Sequence, residues 1–219
     1  MSLQFPINDA PQSSAALNAH GAHCLALNDS RGAVASFQGA LSSINSFQIE
    51  TNHTISSGAV LELWTSVPIA SLQDDAFFVF NQTLLFEEAT MGSSKNPHAA
   101  SIVILFNLGL AYQWHGVMFR ERSVLEKACW FYHMCVEISS SQSEGDSAAF
   151  VALLALNNRA QIHYRMLGDP ETSLELLQTI RSKHAGLAGS ESLESDLVYD
   201  ILLNATILPK SPLSAPPAA

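Results

Sequence analysis

The side chains best suited to chemistry lie in two short clusters of His and Cys. The first cluster holds His20, His23 and Cys24, and imidazole nitrogens and thiolates are ligands that zinc prefers. A structural zinc site usually takes four ligands, and this cluster offers three. Because His20 and Cys24 share one face of a predicted helix, we expect both to pack between helices. The cluster therefore predicts no metal site, and we expect no cofactor.

The second cluster, Cys129, His133 and Cys135, could supply a thiolate nucleophile. A thiol becomes reactive in electropositive, partly exposed surroundings. Cys135 lies on the packing face of its predicted helix, where we expect it to be buried. Cys129 is expected near the surface, with no base assigned to it. An enzyme that uses Cys or His is therefore the hypothesis with the least support.

Two pairs of neighbouring acids, Asp74-Asp75 and Glu87-Glu88, could act together as an acid and a base. Adjacent side chains in an extended segment point to opposite faces, so we expect these carboxylates in solvated turns. The sequence contains no glycine-rich phosphate loop, no nucleophile elbow and no Cys-x-x-Cys pair. These features predict a protein that is not an enzyme.

Composition limits the class of partner. The chain has 219 residues and a formal net charge of −10, and residues 1–94 carry one basic side chain, Arg31, with eight acidic ones. Nucleic acids and anionic membranes need clustered Lys and Arg, so neither is an expected partner. The N-terminus lacks a secretory pattern, no run of 18 apolar residues occurs, and the three Cys are typical of reduced thiols. The sequence predicts a cytoplasmic protein and leaves a nuclear location open.

Helical periodicity predicts a mainly α protein with one extended insert. Ser13 or Ser14 begins a helix to about Leu27, and Ser30 caps a second helix. Residues 48–98 hold two apolar runs, AVLELW and AFFVFNQTLLF, which predict a small β-hairpin around residues 55–90. Further helices are predicted at about 99–117, 121–140, 148–167 and 170–184, with a last one from Ser190 or Ser192. Residues 1–12 are expected to form a flexible arm, residues 13–208 a single domain, and residues 209–219 a Pro-rich disordered tail.

The first six helices form three pairs that repeat one spacing of small and large residues. In the first pair, offsets of 12, 16 and 19 residues relate one glycine to three later positions: Gly21, Ala33, Phe37 and Ala40. The third pair keeps these offsets with Gln161, Ser173, Leu177 and Ile180. The middle pair has its second helix seven residues later, nearly two helical turns, with Gly109, Ala128, Tyr132 and Cys135.

This pattern resembles the tetratricopeptide repeat, and NLGLAY and LEKACWFYHMCVEI look like its two halves. The resemblance covers roughly residues 14–47 and 101–184. It implies three antiparallel helix hairpins and a C-terminal capping helix, with the β-hairpin as an insert in 48–98. A small residue is needed where the helices of one repeat cross. Close packing at Gly109 would then offset up to about 1 kcal/mol of lost helix propensity.

The resemblance also implies a binding groove, because the first helix of each pair lines a concave face in tetratricopeptide-like folds. The groove residues would be Leu25, Phe106, Asn107, Leu110, Gln113, Trp114, Asn158, Arg159, Ile162 and Arg165. Further lining residues would be Asn18, Ala22 and Met166. This aliphatic and aromatic floor suits an apolar peptide or helix, with Trp114 as the better candidate anchor and Trp130 as the other. Alternatively, the 48–98 insert or the final helix covers the floor as core.

One subfamily of these repeats clamps the C-terminal carboxylate of chaperones with Lys, Asn and Arg. Asn107 and Arg159 match two of the five clamp positions, whereas Asn18, Ala22 and Ala155 replace the other three. We therefore do not expect a carboxylate ligand in so acidic a chain.

Three functional hypotheses follow. The first is a non-catalytic protein-interaction module or adaptor that binds an apolar peptide or helix of a protein partner in the groove. The second is a structural subunit of an oligomer or complex whose groove is permanently filled, and a homo-oligomer is compatible with it. The third is the Cys or His enzyme.

Overall fold

The computed structural model describes residues 13–50, 63–66, 68, 69, 72, 79–86, 97–141, 146–187 and 195–207. These residues form a mainly helical protein with seven α-helices and one pair of short strands. The helices are α1 (Ser14–Ala26), α2 (Ser30–Glu50), α3 (Pro97–Phe119), α4 (Arg122–Ser141), α5 (Asp146–Gln161), α6 (Pro170–Leu187) and α7 (Ser195–Ile207). The strands are β1 (Leu63–Thr65) and β2 (Leu84–Phe86). The predicted arm, the predicted tail and both acidic pairs lie outside the described residues.

Side-chain caps fix where several helices begin. The Ser13 hydroxyl accepts a hydrogen bond from the Ala16 N–H at 3.2 Å, as expected for the start of α1. At α2 the cap is one residue earlier than predicted, because the Asp29 carboxylate, not Ser30, accepts from the Gly32 N–H at 2.9 Å. Asp169 caps α6 by accepting from the Thr172 N–H at 3.1 Å. The polar residues before each apolar stretch thus set these helix starts.

The predicted helix over 148–167 is interrupted. The α-helical part, α5, ends at Gln161, and residues Ile162–Leu167 continue as a π-helical turn. This turn ends at Gly168, whose φ of 66° is left-handed and easily adopted by glycine. The change of winding rotates the residues after Gln161 relative to α5, since each residue of a π-helix turns through a smaller angle.

The helices pack in chain order. Contacts join α1 to α2, α3 to α4 and α5 to α6, and also join α2 to α3, α4 to α5 and α6 to α7. Contacts also link the odd-numbered helices in series, α1 to α3, α3 to α5 and α5 to α7. Strand β2 lies against α1 and α3. One continuous core therefore runs through the described helices and beneath the strand.

Two mid-helix glycines leave room for aromatic rings. A methyl group placed on Gly109 of α3 would lie 2.6 Å from Cε1 of Tyr132 on α4. A methyl group on Gly21 of α1 would lie 2.5 Å from Cε1 of Phe37 on α2. Real Cβ contacts are longer than this, so any larger residue would displace a fully buried ring. Ring packing explains why the chain accepts glycine inside these helices.

Strands β1 and β2 pair antiparallel, with Leu63 opposite Phe86 and Thr65 opposite Leu84. Residues 79–83 lead into β2, and their chain is bonded to residues 66–69 beyond the end of β1. Most residues between the strands lie outside the described part of the chain. The β-hairpin predicted around residues 55–90 therefore stays a prediction.

Helix α3 is long and apolar enough, over His98–Phe119, to cross a membrane by length and composition alone. In this fold 72% of the apolar 18-residue window within that stretch is buried inside the protein, and the core helix of a soluble protein meets the same criteria. Packing against α2, α4, α5 and β2 accounts for its apolar character.

Candidate functional site

The candidate site is the face of α1, α3 and α5 that holds residues 79–86. We call this face the inner face and residues 79–86 the docked segment. Three fully buried asparagines, Asn18 on α1, Asn107 on α3 and Asn158 on α5, connect the two through hydrogen bonds. A buried amide is costly unless it is bonded, so the partners of these side chains identify what the face is built to hold.

The peptide backbone at Leu84 is held on both of its polar groups. Its N–H donates to Asn107 Oδ1 at 2.9 Å, and its C=O accepts from Asn107 Nδ2 at 2.8 Å. The same carbonyl accepts from Asn18 Nδ2 at 2.9 Å, and Asn18 Oδ1 accepts from Asn107 Nδ2 at 2.8 Å. Two amide side chains therefore orient each other and bind one residue of an extended chain.

The same arrangement recurs four residues earlier. The Phe80 N–H donates to Asn158 Oδ1 at 3.0 Å, and its C=O accepts from Asn158 Nδ2 at 2.8 Å. The Tyr132 hydroxyl also accepts from Asn158 Nδ2, at 3.2 Å, and donates to Gln113 Oε1 at 2.7 Å. The inner face therefore binds the main chain at two residues, Phe80 and Leu84. At each of them one asparagine amide accepts from the N–H and donates to the C=O.

The side chains of the docked segment fill apolar spaces. Phe80 is 3% exposed, Leu84 1% and Phe86 5%. The ring centroids of Phe80 and Phe106 lie 5.8 Å apart, and those of Phe106 and Tyr132 lie 5.5 Å apart. Burying a large apolar side chain contributes roughly 1.5–3 kcal/mol, so these residues anchor the segment.

A chain of buried hydrogen bonds runs from Asn158 through Tyr132 and Gln113 to Gln161. Gln113 Nε2 donates to Gln161 Oε1 at 3.2 Å, so Gln161 extends the chain of bonds that starts at Asn158. Burial raises the pKa of the Tyr132 hydroxyl well above its usual range, and the neutral hydroxyl donates to Gln113 Oε1. These hydrogen bonds fix the orientation of the Asn158 and Gln113 amides.

Eight of the ten predicted groove residues are buried, and two are not. The buried ones are Leu25, Phe106, Asn107, Leu110, Gln113, Trp114, Asn158 and Ile162. Arg159 is half-buried and lies 3.5 Å from His133 Nδ1 of α4, and Arg165 is exposed on the π-helical turn. The structure brings Asn107 and Asn158 together on the docked segment, while Arg159 contacts a different helix. The predicted anchor Trp114 is buried in the core, and its ring packs edge-on against Phe119, which is exposed.

The two cysteines considered as nucleophiles, Cys129 and Cys135, lie in buried surroundings. Cys129 is 8% exposed, so its predicted surface position was wrong. Burial raises the pKa of its thiol to about 12, although Arg159 opposes part of the rise. Burial also raises the pKa of Cys135, whose thiol donates to the Ile102 carbonyl at 3.5 Å. A protonated thiol is a poor nucleophile.

The first His and Cys cluster is only partly as predicted. Cys24 is buried, whereas His20 is exposed and its Nδ1 lies 2.8 Å from the Ser36 hydroxyl. Burial and the Asp29 carboxylate raise the pKa of the Cys24 thiol. Among the described residues, no group of three or more His, Cys, Asp or Glu side chains could hold a metal ion.

Comparisons with protein-family models, with curated proteins and with solved structures find no match. The function of the site is therefore inferred from its own atoms. These atoms hold an extended stretch of the same chain: the amides of Asn107 and Asn158 bond main-chain groups of Leu84 and Phe80, and apolar spaces hold its large side chains. The sequence pointed to Asn107 and Asn158, but the docked segment itself was signalled only by the apolar run in AFFVFNQTLLF.

Proposed function

We propose that this protein is a non-catalytic protein-interaction module that binds an extended apolar segment of a partner protein on its inner face. The observation that carries the proposal is the pair of bidentate amides, Asn107 on Leu84 and Asn158 on Phe80. Side-chain amides that grip main-chain N–H and C=O groups act on any extended peptide, because every residue except proline offers both groups.

The proposal includes the tetratricopeptide-like architecture of three hairpins, a C-terminal helix and a β-hairpin insert. The two glycine contacts support it, since Gly21 with Phe37 and Gly109 with Tyr132 fall at matching places in the first two helix pairs. The contacts that link α1, α3, α5 and α7 in series also support it, because first helices line one face in such repeats. A location in the cytoplasm, with the nucleus left open, belongs to the same proposal.

A second candidate is a structural subunit whose inner face is permanently filled by its own docked segment. The burial of Phe80, Leu84 and Phe86 favours this candidate, because removing three anchors from the core would expose a large apolar area. The two candidates differ in one property: the interaction module accepts a segment from another chain, and the structural subunit does not.

A peptide selection separates these candidates. Random nine-residue peptides, displayed in excess, would be selected on wild-type protein and on the variants Asn107→Ala and Asn158→Ala. Ser36→Ala is the matched control. It removes a buried hydroxyl of α2 that bonds to His20 of α1 and makes no bond to the docked segment. Melting curves would verify that each variant is folded.

The interaction module predicts enrichment on wild type and on Ser36→Ala of peptides with widely spaced large apolar residues. It predicts loss of that enrichment on both Asn variants, because each loses a bidentate main-chain contact. Selection that enriches nothing either on wild type or on Ser66→Ala, which loses two bonds to Thr83 of the docked segment, would refute the proposal, as would enrichment of the same peptides on every protein.

A further inference from the structure

The docked segment uses its two main-chain edges differently. Phe80 and Leu84 turn their N–H and C=O groups to the inner face. Asn81 and Thr83, which lie between them, bond to the opposite side: the Asn81 carbonyl accepts from the Ile69 N–H at 2.8 Å, and the Thr83 carbonyl accepts from the Ser66 N–H at 3.0 Å. The segment is therefore bonded like the middle strand of a sheet, with asparagines in place of one neighbouring strand.

This alternation defines which ligands fit. Counted from Phe80, large apolar side chains occupy buried spaces at the first, fifth and seventh positions, Phe80, Leu84 and Phe86. Asn81 and Gln82 are only half-buried, so the second and third positions tolerate polar residues, whereas Thr83 at the fourth position is buried. The matching ligand is an extended chain of the form Phe-x-x-x-Leu-x-Phe without proline at the first or fifth position.

We propose that residues 79–86 are a built-in competitor, which an extended segment of a partner protein with this pattern displaces from the inner face. The inference rests on the proposed function and adds its ligand class and its regulation. The inner-face contacts are chemically transferable, because the amides hold main-chain groups and the apolar spaces hold side-chain types found in many proteins.

The covalent connection of the docked segment to the rest of the chain sets the peptide concentration needed to displace it. A segment joined to its site by short connections has an effective concentration on the order of millimolar. A separate peptide that makes the same inner-face contacts must therefore reach about that concentration to compete with it. Weakening the outer edge of the docked segment should lower the threshold without touching the inner face.

Substitution of Ser66 weakens the outer edge of the docked segment. Its hydroxyl accepts from the Thr83 N–H at 3.1 Å and from the Thr83 hydroxyl at 2.6 Å, both on the outer edge. Ser66→Ala removes both bonds, and Thr83→Val removes the second with little change of shape. Either substitution raises the population in which the inner face is free, and we expect about a tenfold tighter apparent Kd for Ser66→Ala.

The probe is a fluorescein-labelled peptide of residues 79–86 with two added lysines for solubility. Its affinity for full-length wild type, Ser66→Ala and Thr83→Val would be measured by anisotropy. The control peptide carries Asp in place of Phe80 and Leu84. In parallel, amide exchange of the protein's own Phe80 and Leu84 would be followed by NMR in ¹⁵N-labelled protein with unlabelled peptide.

We expect weak binding to wild type, about tenfold tighter binding to Ser66→Ala, no binding of the Asp peptide, and faster exchange of both amides when peptide is added. Thr83→Val gives the same test if Ser66→Ala does not fold.

Equal affinity for all three proteins, or unchanged exchange, would overturn the proposal of a built-in competitor while leaving peptide binding intact. Binding to none of them would overturn the competitor, and the peptide selection decides the proposed function separately. Mass that rises with protein concentration without peptide uptake would show that a second copy is the occupant, which also overturns the inference.

Discussion

Replacing Gly109 by alanine tests the packing between α3 and α4 with a single methyl group. In an ordinary helix this change stabilises, because alanine exceeds glycine in helix propensity by about 1 kcal/mol. Here the methyl carbon would lie 2.6 Å from Cε1 and 2.7 Å from Cδ1 of Tyr132, whose ring is fully buried. The ring has to move, and so does its hydroxyl, which bonds Gln113 and Asn158.

The expected magnitude follows from these contacts. Overpacking of a core costs about 1–3 kcal/mol, and leaving a buried polar group unpaired costs about 1–3 kcal/mol more. After the propensity gain is subtracted, the free energy of unfolding should fall by roughly 1–5 kcal/mol, with a midpoint of about 3 kcal/mol. For a chain of this length a loss of about 3 kcal/mol lowers Tm by roughly 6–12 °C.

Urea denaturation and thermal melting would measure the effect, with Gly39→Ala as the matched control. Gly39 lies in α2, and a methyl group there would meet only Leu17 Cδ1 at 3.6 Å, an ordinary contact. Gly39→Ala should therefore stabilise by roughly 0.5–1 kcal/mol. In a Tyr132→Ala background, Gly109→Ala should lose its destabilising effect. A Gly109→Ala protein as stable as Gly39→Ala would refute the reasoning.

Three further predictions concern a helix cap, a histidine and a thiol. Asp169→Ala should lower the free energy of unfolding by about 1 kcal/mol in urea melts, since the Thr172 N–H loses its cap, and no loss would show that the cap is dispensable. Burial lowers the pKa of His163 below its ordinary 6.5, so its neutral form stabilises the fold; this contribution is complete above pH 6.5 and lost as pH falls below it. Tm should therefore fall from pH 7.5 to 5.5 less in His163→Gln than in wild type, and equal falls would contradict this assignment. Cys129, with a thiol pKa of about 12, should react with a disulfide reagent at pH 7.5 roughly a thousandfold more slowly than free cysteine, and a fast reaction would reopen the enzyme hypothesis.

Local signals made several helix boundaries predictable. Ser13 and the Asp169-Pro170 pair cap helices by hydrogen bonds within three residues, so the sequence carries them directly. Asp29 shows the limit of this reasoning, because Asp29 and Ser30 are both good caps and only the backbone conformation decides between them. The π-helical turn after Gln161 has no comparable signal in the sequence.

The site could be predicted only in part, because its contacts join distant residues. Asn107 meets Leu84 across 23 positions and Asn158 meets Phe80 across 78, so neither partner is visible in the local pattern. Repeat spacing placed both asparagines on the inner face but could not show what they hold. Arg159 was expected beside Asn158, yet adjacent residues on a helix point in different directions and Arg159 contacts His133 instead.

In the proposed function, Asn107 and Asn158 bind the main chain of an extended segment supplied by another protein. The most direct measurement is an NMR titration of the Ser66→Ala protein, labelled with ¹⁵N at asparagine side chains, with unlabelled peptide of the Phe-x-x-x-Leu-x-Phe pattern. We expect the side-chain NH₂ signals of Asn107 and Asn158 to shift together and to saturate at the peptide concentration that saturates the anisotropy. Signals that stay unchanged while the peptide binds would contradict the proposed function.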